Sequence, residues 1–389
     1  MGKINKNGEA KEKNMNGFKW LHISDLHFRI GEGFDMSLML NGLKEALIKE
    51  AKNGKFRYIF ITGDVADCCV YSLAERRIHE LLLDTGIIEN KENIFWVCGN
   101  HDIPRTFRHR RNEIKDIRDK GLPNIAFDKE FADAESRDLL LRAFDEYYDN
   151  REKILGMEKK GDYPHQVIHT DDAEIVMLNT CLTSCDDEDE HQLYLCEPQL
   201  ISLFEQIEGG KPVFVLGHHS LDYLADSEKR RVIKLFSSKN ITAYLCGHSH
   251  QLGVHPLTDD IQEIVSGGFK TDGYAAISCF VGSYYADREE YSLIPYVYRP
   301  GSMNWGVDYC AVSGMSEDKK YCVKISVGGE EDDVQNIVGR FQRMLAEISK
   351  IENIDVDSFN QVGVNILHKY VEKLLKIDCG NQSDFSFLC

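Results

Sequence analysis

Four times in this chain a short apolar run ends at or beside a glycine, and carboxylate, carboxamide or imidazole side chains follow at once. Phe56–Thr62 leads into Gly63-Asp64, Ile94–Val97 into Gly99-Asn100-His101-Asp102, Lys211–Leu216 into Gly217-His218-His219, and Ile241–Cys246 into Gly247-His248-Ser249-His250. A fifth run, Lys19–Ser24, leads into Asp25-Leu26-His27 without the glycine. An apolar run of this length reads as a buried strand, the glycine lets the backbone turn sharply, and the loop beyond carries the chemistry. Any one of these segments is a modest signal, because Asn and Asp are ordinary turn residues. Five together demand a fold that brings several strand ends to one place.

The intervening segments supply that fold. Helical spacing runs from Met36 to Lys52 with Leu38, Leu40, Leu43, Ala46 and Leu47 as its buried stripe, and again from Leu73 to Leu83. Strand, helix, strand, helix, strand predicts an α/β layer of parallel neighbours, whose sites form at the carboxyl ends of the strands. In an extended segment residues i and i+2 face the same way, so Asp25 and His27 are expected to share one site, and His248 and His250 to point together toward two neighbouring ions. Asp64 is the candidate bridge, since a carboxylate has two oxygens and can span two cations. Asp67 either orients a histidine or caps the helix near Ser72. His22 lies within its strand and reads as structural, and His219 reads as adjacent to the site. Mixed oxygen and imidazole donors suit Zn, Mn or Fe.

The rest of the chain is organised around this core. Residues 104–160 read as a charged helical insertion, basic at its start (Arg105, Arg108, Arg110, Arg111) and packed down by Phe144, Tyr147 and Tyr148. Arg105 either meets a phosphate or faces solvent. Gln166–Thr170 and Glu174–Asn179 read as strands, and the acidic run Asp186–Glu190 as a solvated loop. Gln262–Ser266, Ala275–Val281 and Pro295–Tyr298 are expected to form a second sheet packed on the first. Two apolar stripes, Val334 to Ile351 and Phe359 to Leu374, predict a helical hairpin within 326–389, which packs on the domain at 18–325 or forms a dimer seam. Residues 1–17 read as a flexible tail.

Composition narrows the partners. Acidic residues outnumber basic ones, 64 to 46, for a net charge of −18, which disfavours adhesion to duplex DNA or anionic lipid. No apolar run approaches a membrane span and no signal peptide precedes the first motif. The 12 cysteines are scattered, several of them inside apolar strands, which predicts reduced thiols in a cytoplasmic protein rather than a disulfide framework.

In order, the collected residues are Asp25, His27, Asp64, Asn100, His101, His218, His248 and His250. This set resembles the calcineurin-like metallophosphoesterases, matching that family's D-x-H, G-D, G-N-H-D, G-H and G-H-x-H blocks over residues 18 to 310. The resemblance implies a four-layer α/β sandwich, two mixed β-sheets flanked by helices, here with a C-terminal helical extension. It implies two divalent or transition metal ions: Asp25, His27 and His250 hold one, Asn100, His218 and His248 the other, and Asp64 bridges them. It makes His101 the acid/base group rather than a ligand, in hydrolysis by a hydroxide held between the metals. Asp67, Asp102, Arg105 and His219 are candidates for supporting these ligands or touching phosphate.

Departures from the family's other branches narrow the chemistry. Protein Ser/Thr phosphatases of this superfamily carry Gly-Asn-His-Glu, and an Arg after the second Asp of the G-D block. Here those positions are Asp102 and Cys68. Purple acid phosphatases place a tyrosinate three residues after the bridging Asp, where this chain has Asp67. What remains resembles the cyclic-nucleotide phosphodiesterase branch or the exonuclease branch. The expected activity is therefore hydrolysis of phosphodiesters in nucleotides or cyclic nucleotides. A nuclease acting on single strands and a non-catalytic scaffold of the same fold stand as alternatives.

Overall fold

The structure is a computed structural model that describes residues 17–324 except 32, 68–69, 105–106, 160–163, 187, 271–275, 313–314 and 316–320. The chain divides into two units, Met1–Ser326 and Val327–Cys389, and every described residue belongs to the first. Arg105, the hairpin expected within 326–389 and all of the expected tail but Gly17 lie outside the described residues.

Alternation along the strands builds the molecule in layers. Strands β1 (Phe18–Ile23), β2 (Tyr58–Ile61) and β3 (Ile94–Trp96) are parallel neighbours in one sheet. The second sheet contains β4 (Gln166–His169), β5 (Glu174–Met177), β6 (Val213–Leu216), β7 (Ala243–Cys246), β8 (Gly253–Pro256) and β9 (Gln262–Val265), in the order β4-β5-β6-β7-β9-β8. Trp20, Tyr58, Phe60 and Phe95 from the first sheet meet Ile175, Phe214, Leu216, Leu245 and Ile264 from the second in a core between the sheets. The intervening residues Leu21, Ile23, Ile59 and Ile61 face the opposite way, into the core beneath the helices α1 (Phe34–Ala51) and α2 (Tyr71–Ile78). Val213, Val215, Tyr244 and Cys246 likewise turn outward into a third cluster with Leu200 and Phe204 of the helix Glu197–Glu205 and Val232 and Phe236 of the helix Asp226–Ser238. A slip of one residue in any of these strands would exchange its two faces, so the burial pattern pins the register and with it the position of each strand end.

The late strands correct the sequence reading. Gln262–Val265 joins the second sheet, pairing parallel to β7. The next two return to the first sheet: β10 (Ser278–Tyr285) pairs antiparallel with β1, and β11 (Glu290–Arg299) with β10, followed by β12 (Asn304–Val307) and β13 (Tyr321–Lys324) on β11. Alternation tells which face a strand buries but not which edge it joins. The open edge of β1 accepts β10 with Trp20 opposite Gly282. The architecture is the expected α/β arrangement of two mixed sheets flanked by helices.

The insertion is helical, with α3 (Arg108–Arg118), α4 (Pro123–Ala132), α5 (Ala134–Leu141) and α6 (Asp145–Leu155). Tyr147 packs edge-on against Trp96 and donates its hydroxyl to the Trp96 carbonyl at 2.5 Å, tying the insertion to β3. The basic start of the insertion serves the fold. Arg110 is buried and donates to the carbonyls of Leu140, Cys181, Leu182 and Ser184 at 2.7–3.2 Å. Burial pushes its pKa down to about 10. Nor is the acidic run simply solvated. Asp189 is buried, 2.7 Å from Arg118, and accepts from the Ser184 hydroxyl, while Asp186 lies 2.8 Å from Lys115. The described cysteines, Cys98, Cys181, Cys185, Cys196, Cys246, Cys279 and Cys310, are free thiols. Among the described residues no helix is long and apolar enough to cross a membrane.

Arg110→Met is expected to leave four carbonyls without their donor and to cost about 3 kcal/mol of stability. Arg111→Met, half-exposed on the same helix, should stay within about 0.5 kcal/mol. Urea unfolding of both variants checks the contrast.

Candidate metal centre

Each of the five loops leaves the carboxyl end of its strand, and tight turns fold the functional side chains back over the strand ends. Asp25, His27, Asp64, His248 and His250 all have positive φ, between 47° and 66°. This overturns the expected extended spacing. Asp25 and His27 do meet, with Oδ1 and Nε2 3.9 Å apart, but left-handed turns bring them together rather than strand alternation. Five non-glycine residues in that region within one site is backbone strain concentrated where polar side chains converge.

Two glycines are required by the resulting crowding. A Cβ on Gly99 would overlap the backbone and carboxylate of Asp64, and one on Gly247 would overlap Ser24 and the carboxylate of Asp25. The glycines in the sequence pattern therefore do more than turn the chain: they let neighbouring loops pass at contact distance.

Six donor atoms surround one oxygen of Asp64 in two groups. Asp64 Oδ1 accepts the His101 backbone N–H at 2.8 Å, which leaves Oδ2 to face inward. On one side Oδ2 lies 3.7 Å from His27 Nε2, which is 3.2 Å from His250 Nε2, and that nitrogen is 3.3 Å from Asp25 Oδ1. On the other side Oδ2 lies 3.4 Å from His218 Nε2, which is 3.0 Å from Asn100 Oδ1 and 3.2 Å from His248 Nδ1. For metal–ligand bonds of 2.0–2.2 Å, neighbouring donors around a tetrahedral or octahedral ion stand roughly 2.8–3.6 Å apart, and most of these separations match.

Orientation and charge fit a cation as well. The Thr62 carbonyl can only accept, so His218 Nδ1, 2.8 Å away, carries the proton and Nε2 presents its lone pair. Asp25 Oδ2 accepts from the His248 backbone N–H at 2.9 Å, while the buried Oδ1 faces His250 Nε2 at 3.3 Å. Burial opposes charge on both Asp64 and Asp25. Even so, His218 and the neighbouring histidines hold Asp64 well below the usual carboxylate range, and hydrogen bonding to His250 with the field of His218 lowers Asp25. Burial likewise disfavours the charged His218 ring, yet the Asp64 and Asp25 carboxylates raise it well above its ordinary value. The centre thus carries a potential that favours positive charge.

Around this cluster the structure places the supporting residues. His101 stands at the mouth, its ring 4.9 Å from that of His27 and its Nδ1 3.5 Å from Asp67 Oδ1. Asp67 therefore lies beside a histidine, and the helix-cap alternative fails: α2 is capped at Val70 with no side-chain cap. Asp102 faces away from the cluster. Its Oδ1 accepts from Val65 and Ala66 N–H, and its Oδ2 from Gly99 N–H, at 2.9–3.2 Å. It staples the Asp64 and Asn100 loops together. Burial, with repulsion from Asp64, raises its pKa to about 7. His219 is buried, its Nδ1 3.0 Å from the Thr180 hydroxyl and its ring 4.5 Å from His248. His22 is structural, as expected, 3.0 Å from the Thr62 hydroxyl.

Two contributors carried no sequence signal. Thr180 accepts the backbone N–H groups of both His218 and His219 at 3.1 Å. Tyr223 sets its ring edge-on to His248 at 4.5 Å. Neither lies within a strand–loop block, so only the packing reveals them.

The calcineurin-like phosphoesterase family matches residues 18–252, which include all five loops, and the chain belongs to that family. It is 25% identical over 372 residues to the uncharacterized metallophosphoesterase-like protein YydB of Bacillus subtilis (strain 168), covering 91% of this chain and 72% of that protein. Among solved structures it is similar to a dimetal phosphatase from Danio rerio (12% identity, 79% of this chain and 99% of that one, TM-score 0.45). It is also similar to a purple acid phosphatase from yellow lupin, Lupinus luteus (9% identity, 76% and 55%, TM-score 0.46). The family's fold implies a phosphoester hydrolase with a dinuclear divalent metal centre.

Asp102→Asn replaces an acceptor oxygen of the staple with an amide donor. Affinity for the metals is expected to fall by about 10–100-fold, with far-UV circular dichroism unchanged. Competition against a colorimetric chelator measures it, and an unaltered affinity would remove Asp102 from the support of the site.

Proposed function

We propose that this chain hydrolyses phosphodiester bonds in nucleotide-like substrates. In this reading Asp25, His27 and His250 hold one cation, Asn100, His218 and His248 hold the other, and Asp64 serves both. The observation that carries the reading is the division of the Asp64 carboxylate. One oxygen is committed to a backbone N–H, and the other faces two separate sets of nitrogen and oxygen donors. A pair of divalent cations, when bound, supplies charge neutralisation at a phosphoryl group and lowers the pKa of water. Mn, Fe and Zn all suit this donor set.

The chain's own residues do the rest. His101 faces the cluster from the mouth and donates a proton to the departing oxygen, whose alkoxide form is a poor leaving group. Asp67 beside Nδ1 holds the imidazole in orientation, and the His101 backbone N–H fixes which Asp64 oxygen stays available. Preference for diesters rests on charge. A monoester phosphoryl group carries about two negative charges at neutral pH and a diester one. Cys68 occupies the position where the Ser/Thr phosphatase branch has an arginine, so this chain does not place that cation there. Buried free thiols fit the reducing cytoplasm expected from the sequence.

The test is a panel: Mn-loaded protein with bis-p-nitrophenyl phosphate, p-nitrophenyl phosphate, several cyclic nucleotides, and single-stranded DNA and RNA. Diester turnover above monoester turnover is expected, and the reverse order would make the protein a phosphatase. His101→Ala should keep its full metal content while kcat drops by about 10²–10⁴-fold. Asp64→Asn should lose bound metal and activity together. Two tightly bound metals with no turnover of any ester would identify a scaffold.

A further inference from the structure

We propose that His169, Glu174 and Glu208 form a further cation site, one that takes zinc and lies at the end of the second sheet remote from the candidate metal centre. A ring nitrogen of His169 and one carboxylate oxygen from each glutamate lie within 4.8 Å of one another. The two clusters share no residue, so this site stands or falls apart from the phosphodiesterase reading.

Strand pairing and a tight loop assemble it. His169 ends β4 and Glu174 begins β5, and the two are register partners, the last pair before the turn at 170–173. Val167 and Val176 lie in the outer core with Leu200 and Phe204 of the helix Glu197–Glu205, and alternation puts His169 and Glu174 on that same face. The chain leaving this helix turns back through Gly209 and Gly210, both at positive φ, 77° and 75°. That turn lays the Glu208 N–H on Glu174 Oε1 at 3.0 Å. Glu174 pairs with Val213 at the start of β6, so His218 stands about 16 Å further along at roughly 3.3 Å per residue.

The donors are unmatched without a cation. The Glu174 side chain is 1% exposed. Its Oε1 faces His169 Nδ1 at 3.3 Å and takes the Glu208 N–H, while Oε2 is buried with no hydrogen-bond partner among the described residues. A buried carboxylate oxygen left so is costly until a donor or a cation meets it. Among the described residues no lysine or arginine pairs with Glu174 or Glu208. The basic groups that meet the 170–173 turn are engaged: Lys211 Nζ donates to the Thr170 carbonyl at 2.6 Å, and Arg57 Nε lies 2.8 Å from Asp172. His169 and Glu208 are exposed, so both side chains can turn toward the buried carboxylate. Two carboxylates and a ligating, neutral imidazole leave two negative charges for a divalent ion to balance. The imidazole selects zinc over magnesium or calcium, which prefer oxygen donors, and 3.3 Å is the spacing of two donors on one ion. Zinc bound there would clip the β4–β5 hairpin to the loop ahead of β6.

The experiment uses the full chain, stripped of metal and dialysed against zinc, with diethylpyrocarbonate modification of each histidine followed by mass spectrometry. At zinc about ten times above the dissociation constant, His169 is expected to react about 10-fold more slowly than without zinc, while the exposed His255 keeps its rate. The protection should persist in Asp64→Asn, which disables the candidate metal centre, and vanish in Glu174→Gln and Glu208→Gln. Elemental analysis should find one zinc fewer per chain in each of the latter two. Glu208→Gln keeps the backbone N–H that holds Glu174, so it separates lost coordination from a lost fold. Equal zinc content in wild type and Glu208→Gln would overturn the site, as would protection of His169 that disappears with Asp64→Asn. A single zinc per chain that protects His169 would instead remove the dinuclear reading and leave this site standing.

Discussion

The carboxylate of Asp64 is where the two sheets and the five loops become one site. Its backbone sits in a left-handed turn after β2, one oxygen takes the His101 N–H from the loop after β3, and the other faces histidines from both sheets. A carboxylate so placed is buried, and burial alone would drive it to protonate. The charge survives because His218 and the other imidazoles surround it. Everything that fixes the sheets relative to each other therefore acts on this one group. The aromatic core between the sheets, with Trp20 and Phe60 against Phe214, sets the distance across which donors from β2 and β6 can meet.

Rigidity at the site comes from backbone hydrogen bonds rather than from the functional side chains. Asp102 binds three N–H groups across two loops, Thr180 binds two in a third, and the Thr62 carbonyl fixes the tautomer of His218. These contacts offset the strain of five left-handed residues, which an unsupported loop would relax. A site that must hold like-charged carboxylates and several imidazoles together needs this support, because the groups do not attract one another evenly.

The insertion plays a structural part that its charge obscures. Its arginines and the acidic run look like two exposed features in the sequence and are one partly buried network in the fold, with Arg110 on carbonyls and Arg118 between Asp186 and Asp189. A basic cluster near a phosphate-handling site invites a binding role. Here the guanidinium of Arg110 is already committed to four backbone carbonyls.

The sequence by itself determined the grammar: apolar runs with period-two burial, glycines at the turns, and Asp, Asn and His immediately beyond them. From these follow the strands, their parallel order in the first half, the common end at which the polar residues gather, and the family. Such features are local, since a run of five or six residues already states which way its side chains must face and where the chain must bend. Only the tertiary structure decided which sheet the strands after Gly268 join, that Asp25 and His27 meet through left-handed turns, that Asp102 staples loops, and that Thr180 and Tyr223 belong to the site at all. Each of these depends on what lies across a gap in space. A carboxylate, a threonine or an arginine takes its role from the partner opposite it, and residues tens or hundreds of positions away supply that partner.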